Sequence, residues 1–552
     1  MLPTGAPRFS HRQTLCVVLL FSAFVACAGN TALLPLDRDE ARFAQATVQM
    51  LETGDFINIK FQAEARNKKP VGIHWLQAAS VATFSSADAR EIWAYRLPSL
   101  ISVVLATYLT YVTATILFGT QTGLIAALLL SAAPLVAGEA TIAKTDATLL
   151  ACVSAAQATF IKIYADLRKS RPTMWVWPVA FWLAIGFGIL IKGPIVPLII
   201  GLTALGMFFS NRRLAWQAAY RPIVGILIIV ALVAPWAIMI GLKTNGQFFA
   251  DAIGGDLVGK IGSGQESHGG PPGYHLALLP ALFWPAIALL PLGIFHAVRT
   301  RRAWTSRVLL AWIVPAWIVF EISATKLPHY TLPLYPALAI LSARALSLAL
   351  SQRRAWLRKT GAVIFALVGV GFGALILGLS KTYGQSTGAI MGLAGVIGLA
   401  SAIAGYFFWR GHMARGVGAS IFTSTLLATS LLWGVLPNLE KLNISERVSD
   451  RLIETGYHPL KNGAEEIALA GYREPSAIFL LGTKTVLTDG NGAAQHLSEN
   501  PSAAVIVEMD EDRAFQSSAQ LLNLNISTLD VVAGVNYSNG EEISLSIYAR
   551  NP

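Results

Sequence analysis

Five short stretches of this chain mix carboxylates, cations and aromatic residues inside otherwise apolar surroundings. The first is L-D-R-D-E-A-R-F-A-Q-A, with Asp37, Asp39, Glu40 and Arg42. The second is R-N-K-K-P-V-G-I-H-W, with Arg66, Lys68, Lys69 and His74. Then come Glu139-Ala-Thr-Ile-Ala-Lys144-Thr-Asp146, Ile191-Lys192-Gly193-Pro194, and Thr325-Lys326-Leu-Pro328-His329-Tyr330 with Tyr335 beyond it. Ionisable groups next to apolar segments are costly and mark functional sites. Cations at such a boundary suit a phosphate or pyrophosphate head group. A carboxylate beside them suits a general base that activates a hydroxyl. Together they point to glycosyl transfer from a lipid-phosphate sugar, the phosphate leaving against the cations without any nucleotide pocket. No G-x-x-x-x-G-K-[ST] occurs, which disfavours an ATP-driven pump.

Composition says what must hold these residues. Of 552 residues, 54 % are hydrophobic and only 13 % charged, and mean hydropathy is +0.55. Soluble domains carry roughly 25 % charged residues. Intrinsic disorder and an all-soluble enzyme are both excluded, leaving a polytopic membrane protein. The net charge of +11 divides unevenly. Residues 1–436 hold 34 basic and 15 acidic residues, whereas 437–552 hold 8 and 16. The basic residues lie in short turns between apolar runs, which excludes a nucleic-acid reading. Cys16, Cys27 and Cys152 all sit in apolar segments and form no C-x-x-C, so neither a zinc ribbon nor a disulfide scaffold is supported.

Apolar runs long enough for a bilayer core about 30 Å thick occur at 15–34, 98–118, 122–138, 146–163, 174–191, 194–210, 223–241, 275–298, 308–324, 331–350, 361–380, 387–408 and 417–436, thirteen in all. The stretch 174–210 reads as one broken helix or as two spans joined at Lys192-Gly193-Pro194. Leu15–Leu34 reads as a retained first span, since its length and lack of an A-x-A site speak against a signal peptide. With the N-terminus inside, the inner turns collect 19 of the 34 basic residues, among them Arg8, Arg212, Arg213, Arg301 and Arg353. This agrees with the positive-inside rule and puts all five stretches and the acidic tail on the outer side. In a Gram-negative bacterium that side is the periplasm. The long outer loop predicts interfacial helices within 37–95, one carrying Ala41, Ala44, Val48 and Leu51 up to Gly54 and one starting after Pro70.

The motifs D-E-A-R-F-A, N-K-K-P-V-G-I-H-W, A-K-T-D-A, G-F-G-I-L-I-K-G-P and S-A-T-K-L-P-H-Y-T-L-P-L-Y-P resemble the bacterial 4-amino-4-deoxy-L-arabinose lipid A transferase family. They are also similar, more distantly, to protein O-mannosyltransferases. The resemblance covers residues from about 30 to 350 in the same motif order. It implies a polytopic α-helical membrane protein of the C-type glycosyltransferase fold with a C-terminal soluble α/β domain. It also implies a polyprenyl-phosphate sugar donor and an outward-facing cavity. By motif position, Asp39 matches the family's first-loop acid and candidate base, with Glu40 and Arg42 its neighbours. Asp146 matches the aspartate heading the fourth span. Lys69 and Lys192 match the lysines that would hold the donor phosphate, and Tyr330 and Tyr335 match the paired tyrosines. Lys144, Lys326 and His329 are further candidates. Where the family pattern has Glu-Lys-Pro, this chain has Lys68-Lys69-Pro70, and where it has several histidines this chain has His268 and His275. A divalent metal is thus left without its family-type glutamate ligand, and no metal site or other cofactor is assigned. The same departures leave the sugar open.

Structural readings stand beside these. Asp39, Glu40 and Arg42 also suit a helix N-terminus with an i,i+3 pair. Lys69, Lys192, Lys68 and Lys144 suit snorkelling to lipid head groups. Asp146 suits a helix cap, and Tyr330 and Tyr335 suit the interfacial aromatic belt. The expected partners are a polyprenyl-phosphate-linked sugar, lipid A or another envelope glycan, and membrane lipids. The rival readings are a protein O-glycosyltransferase of the same fold and, in another class, a lipid-linked saccharide transporter. The domains are expected at 1–436 and 437–552. In the second, a helix near 444–454, helical pieces near 491–498 and 511–522, and apolar runs at 467–469, 477–481, 485–487, 503–507, 529–532 and 543–548 predict a mixed sheet.

Overall fold

The computed structural model describes residues 10–35, 38–210, 218–259, 269–347 and 354–551. Asp37 and His268, with Arg8, Arg212, Arg213 and Arg353 of the charge map, lie outside the described residues.

Each of the thirteen apolar runs carries helix, but they are not thirteen unbroken spans. Among the described residues, seven helices are long and apolar enough to cross a membrane, or eight if one bent pair is a single span. The chain is therefore a multi-pass membrane protein. The seven are Ile92–Phe118, Thr145–Arg168, Ala218–Lys243, Trp304–Ile322, Ala355–Tyr383, Gly388–Arg410 and Met413–Asn438. Proline accounts for much of the rest, because it lacks the N–H that an interior helical position needs. The run at 122–138 bends by 66° just before Pro134. The run at 275–298 breaks into Tyr274–Leu282, Trp284–Ile287 and Leu290–Arg299 around Pro285 and Pro291. The stretch 174–210 is two helices joined at Gly193, whose φ of +59° suits glycine.

The elements that carry the five motifs follow in order. Helix α1 (His11–Ala26) leads to α2 (Arg38–Thr53), a hairpin of β1 (Lys60–Phe61) and β2 (Glu64–Ala65), and α3 (Gly72–Phe84). Then come α4 (Ile92–Phe118), α5 (Thr120–Ser131), α6 (Pro134–Ala140), α7 (Thr145–Arg168) and α8 (Val176–Lys192). The stretch 37–95 thus carries a helix on each side of the hairpin, α2 and α3. Ala41, Ala44 and Val48 line the fully buried side of α2, and Gly54 ends it at φ +69°. The helical body packs around one large apolar core, with Trp284 stacked on Phe365 and the Trp284 indole donating to the Phe365 carbonyl.

The C-terminal part is a mixed sheet with helices on it. Strands β3 (Ala468–Ala470), β4 (Val486–Thr488), β5 (Ala504–Glu508), β6 (Ile526–Val535) and β7 (Glu542–Arg550) lie in the order β4-β3-β5-β7-β6. Strand β3 pairs parallel with both neighbours, and β7 pairs antiparallel with both of its own. The run 477–481, expected as a strand, is the helix Pro475–Leu481. Pro475 sits at its first position, where the missing N–H costs nothing and φ is preset. That helix packs on α2: Phe479 meets Tyr95 at 5.5 Å between ring centroids, within a small core holding Ala44 and Val48. Thr483 joins α2 by accepting from the Gln45 amide at 2.8 Å and donating to Glu52 at 2.8 Å, while Arg90 reaches both Gln45 and Glu52. Glu474 pairs with Arg38 at 3.2 Å. The C-terminal sheet unit is therefore a buttress behind the helix that bears Asp39.

Candidate functional site

Asp39 is in the first turn of α2, where the helix dipole favours an anion. Its side chain is half exposed, and Arg66 donates to its Oδ1 at 3.0 Å. Arg42, one turn along the same helix, stands 3.8 Å away. Arg66 arrives from the strand after the hairpin turn. Its guanidinium lies over the Phe43 ring at 4.7 Å, and Phe43 stacks on His74 at 5.2 Å. His74 Nδ1 meets Thr47 Oγ1 at 2.9 Å. Burial and the Arg66 charge lower the His74 pKa to about 3, so the ring is a neutral shelf. The surrounding protein favours a neutral Asp39 acid by desolvation. Arg66, Arg42 and Lys144 outweigh this and hold the carboxyl below its ordinary range.

A second group stands beside the first. Asp146 lies in the first turn of α7 and Lys192 is the last residue of α8. An anion at a helix N-terminus and a cation at a C-terminus are each favoured by the helix dipole. They meet at 2.5 Å, both largely buried. Lys192 also stands 5.7 Å from the centre of the Tyr330 ring. His329 lies between two carboxylates, 3.6 Å from Asp146 and 3.7 Å from Glu139. Burial lowers its pKa to about 3; the carboxylates of Asp146 and Asp39 oppose this, and Lys144 and Lys192 reinforce it. Lys144 pairs with Glu139 at 3.2 Å and acts electrostatically on both Asp39 and Asp146, making the two groups one patch.

Of the sequence candidates, Asp39, Arg42, Lys144, Asp146, Lys192, His329 and Tyr330 come together. Others do not, and each has a physical reason. Glu40 turns about 100° away from Asp39 around the helix. It forms a bidentate pair with Arg96 at 2.7 and 2.8 Å, both side chains 1–2 % exposed, and also accepts from the Ala143 amide at 2.8 Å. Arg96 spends its remaining donors on the carbonyls of Asn30, Leu33 and Leu34. Glu40 thus joins α2, α4 and the chain after α1. Tyr335 is fully buried against Phe283 at 4.9 Å, within the helical core. The Lys326 ammonium donates to the Gly270 and Ser323 carbonyls at 2.9 and 2.7 Å, strapping down an outer loop. Lys69 stays on the Arg66 loop, its ammonium on the Lys68 carbonyl at 3.3 Å.

Arg66 and Glu139 are the residues that sequence reasoning did not select. Glu139 could have been found from its five-residue spacing to Lys144 across a Thr-Ile-Ala turn. Nothing local points from Arg66 to Asp39, 27 residues earlier. Among the described residues, no group of three or more His, Cys, Asp or Glu has the spacing to hold a metal ion.

The helical body, the helices α2 and α3 and the C-terminal sheet unit together are the fold of the C-type integral-membrane glycosyltransferases. Over 97 % of both chains it superposes on the Cupriavidus metallidurans ArnT structure bound to undecaprenyl phosphate, with a TM-score of 0.76 at 19 % identity. Residues 68–239 match the family described as dolichyl-phosphate-mannose-protein mannosyltransferase. An undecaprenyl phosphate-alpha-4-amino-4-deoxy-L-arabinose arabinosyl transferase of Pseudomonas aeruginosa strain UCBPP-PA14 is 28 % identical over 94 % of both chains. A transferase of the same name from Pseudomonas fluorescens Pf-5 is 29 % identical over 56 % of this chain, a match that spans 55 % of that relative's length. The expected likeness to the aminoarabinose lipid A transferases therefore holds, and the chain is a multi-pass inner-membrane protein.

Proposed function

We propose that the protein is a glycosyltransferase that moves a sugar from a polyprenyl-phosphate donor to lipid A, a core saccharide or another envelope acceptor. The site faces the periplasm, as does the sheet unit formed by residues 437–552. The observation that carries this reading is a half-exposed carboxylate, Asp39, ringed by Arg66, Arg42 and Lys144. A base and a phosphate cradle share one patch there. Full-length likeness to undecaprenyl-phosphate arabinosyl transferases supports the donor class.

In the proposed reaction an acceptor hydroxyl attacks the anomeric carbon. The new glycosidic C–O bond forms as the bond from that carbon to the phosphate oxygen breaks. The hydroxyl proton passes to Asp39, and the electron pair leaves on the phosphate. Arg66, Arg42 and Lys192 compensate the charge that grows there. Attack opposite the leaving group inverts the anomeric configuration. Asp146, His329, Glu139 and Tyr330 hold Lys192 and Lys144 in place.

The test is transfer in proteoliposomes from polyprenyl-phosphate-linked sugars, 4-amino-4-deoxy-L-arabinose first, to lipid A. No transfer from any lipid-phosphate donor would defeat the reading. Transfer to protein hydroxyls is the second reading, favoured by the mannosyltransferase family match over 68–239. Offering extracted lipid A and secreted proteins side by side separates the two.

A further inference from the structure

We propose that Arg66 and Arg42 are shared between Asp39 and the donor phosphate, so that arrival of the lipid phosphate draws them off the carboxylate and releases the base. This rests on the lipid-phosphate reading above and adds an order of events to it.

The geometry separates what is fixed from what can move. The Arg66 backbone amide donates to the Ile59 carbonyl at 2.7 Å, and the next side chain, Asn67, donates to Asp251 at 2.9 Å. The loop is therefore anchored on both sides of the residue. The guanidinium itself rests on an aromatic face, Phe43, at 4.7 Å, a contact that adds no directional bond to the one it makes with Asp39. Asp39 is 53 % exposed at its side chain, Arg42 30 % and Arg66 12 %, so the cluster reaches the surface through Asp39 and Arg42. The neighbouring pair of Glu40 and Arg96 is closed at 1–2 % exposure and has nothing to share.

Chemistry supplies the direction. A carboxylate bound by a guanidinium is a poor proton acceptor, and a donor-free site holds Asp39 in that state. A phosphodiester donor brings one negative charge, and the phosphate gains a second as the sugar leaves. Guanidinium groups bind phosphate in bidentate fashion, and their hold strengthens as that charge grows. The two anions therefore compete for the same cations. The base gains strength only when a donor is in place, which guards against activating a hydroxyl with no sugar to receive.

Competition makes an unusual prediction for binding of undecaprenyl phosphate to the full chain in nanodiscs. Asp39→Asn loses transfer yet binds this carrier more tightly, by about three- to five-fold, the value of one partly exposed ion pair. Asp39→Ser, which also removes the charge, tightens in the same sense. In a background carrying both Arg66→Gln and Arg42→Gln the gain from Asp39→Asn disappears. Undecaprenol, lacking the phosphate, binds all variants alike. Equal or weaker binding by Asp39→Asn and Asp39→Ser, while the wild type binds, overturns the sharing alone. So does a gain that survives loss of both arginines, which would be plain repulsion between two anions, or a gain seen with undecaprenol too. Failure of the wild type to bind undecaprenyl phosphate at all overturns the donor class as well.

Discussion

Residues 39 and 40 are adjacent carboxylates on one helix, yet they belong to different regions. On the outer side of α2, Asp39 meets Arg66 at 3.0 Å and Arg42 at 3.8 Å and stays half exposed. On the inner side, Glu40 has both oxygens bound to Arg96 and no exposure to speak of. The first arrangement leaves cations and carboxylate able to exchange partners. The second uses every donor of Arg96 to tie three chain segments together. Acid–cation pairs therefore divide by what they leave open. On the proposed reading the pair that is open at the surface serves chemistry, while the pair buried to 1–2 % exposure ties chain segments together.

Five substitutions, one of them read through a pH profile, can break or sharpen that contrast. Asp39→Asn is expected to lower kcat by roughly 10²–10⁴-fold, the range for losing a general base, without moving Tm in detergent. Glu40→Gln should do the reverse. Leaving Arg96 unpaired in a buried site costs about 3–5 kcal/mol, read as a lower Tm, while transfer per folded molecule stays within a few-fold. A large loss of kcat at unchanged Tm in Glu40→Gln would erase the distinction. Lys192→Ala is expected to cut kcat by roughly 10–100-fold, as loss of one charge-stabilising donor does, with a smaller effect on donor KM.

The pH profile tests the outer side directly. The folded pKa of Asp39 lies below its usual value because the three cations outweigh desolvation. The base form is thus fully present above about pH 4 and is lost only as pH falls through the lower folded value. The acid limb of kcat/KM should lie under that of an ordinary aspartate, and Arg66→Gln should move it upward. The smallest effect is far from the site. Burial, with the Asp450 charge, raises the Glu446 pKa to about 7. The folded state then holds a proton that the unfolded chain has released, so stability falls as pH rises from about 4.5 to about 7. Glu446→Gln should stabilise the protein by about 1 kcal/mol at pH 8, after discounting for screening, and leave it unchanged at pH 4.

Much of this was legible in the residues. Apolar runs and basic turns gave the helical membrane body. Pro70 and Gly54 marked the bounds of α3 and α2, and the position of Lys192 before Gly193-Pro194 put a cation at a helix end. Asp39 and Asp146 stood out because charge beside apolar sequence is expensive. The rest depends on direction and on distant contacts. Adjacency in sequence made Asp39 and Glu40 look alike, whereas one helical step turns them to different surroundings. Arg66 acquires its meaning from a hairpin that returns it to α2, and no periodicity records that. Tyr335 and Lys326 lie in the same motif as Tyr330. A change from 3-10 to α geometry after Leu334 sends Tyr335 into the core, and two carbonyls capture Lys326. The short run 477–481 had the composition of a buried strand or of one helical turn and a half, and Pro475 decided it.

The most direct test compares initial transfer rates of the wild type, Asp39→Asn and Glu40→Gln, each reconstituted and normalised to folded protein, with a polyprenyl-phosphate-linked sugar and lipid A. The account predicts that Glu40→Gln transfers at a rate near that of the wild type while Asp39→Asn transfers almost nothing. Normal transfer by Asp39→Asn, or an inactive but fully folded Glu40→Gln, would contradict it.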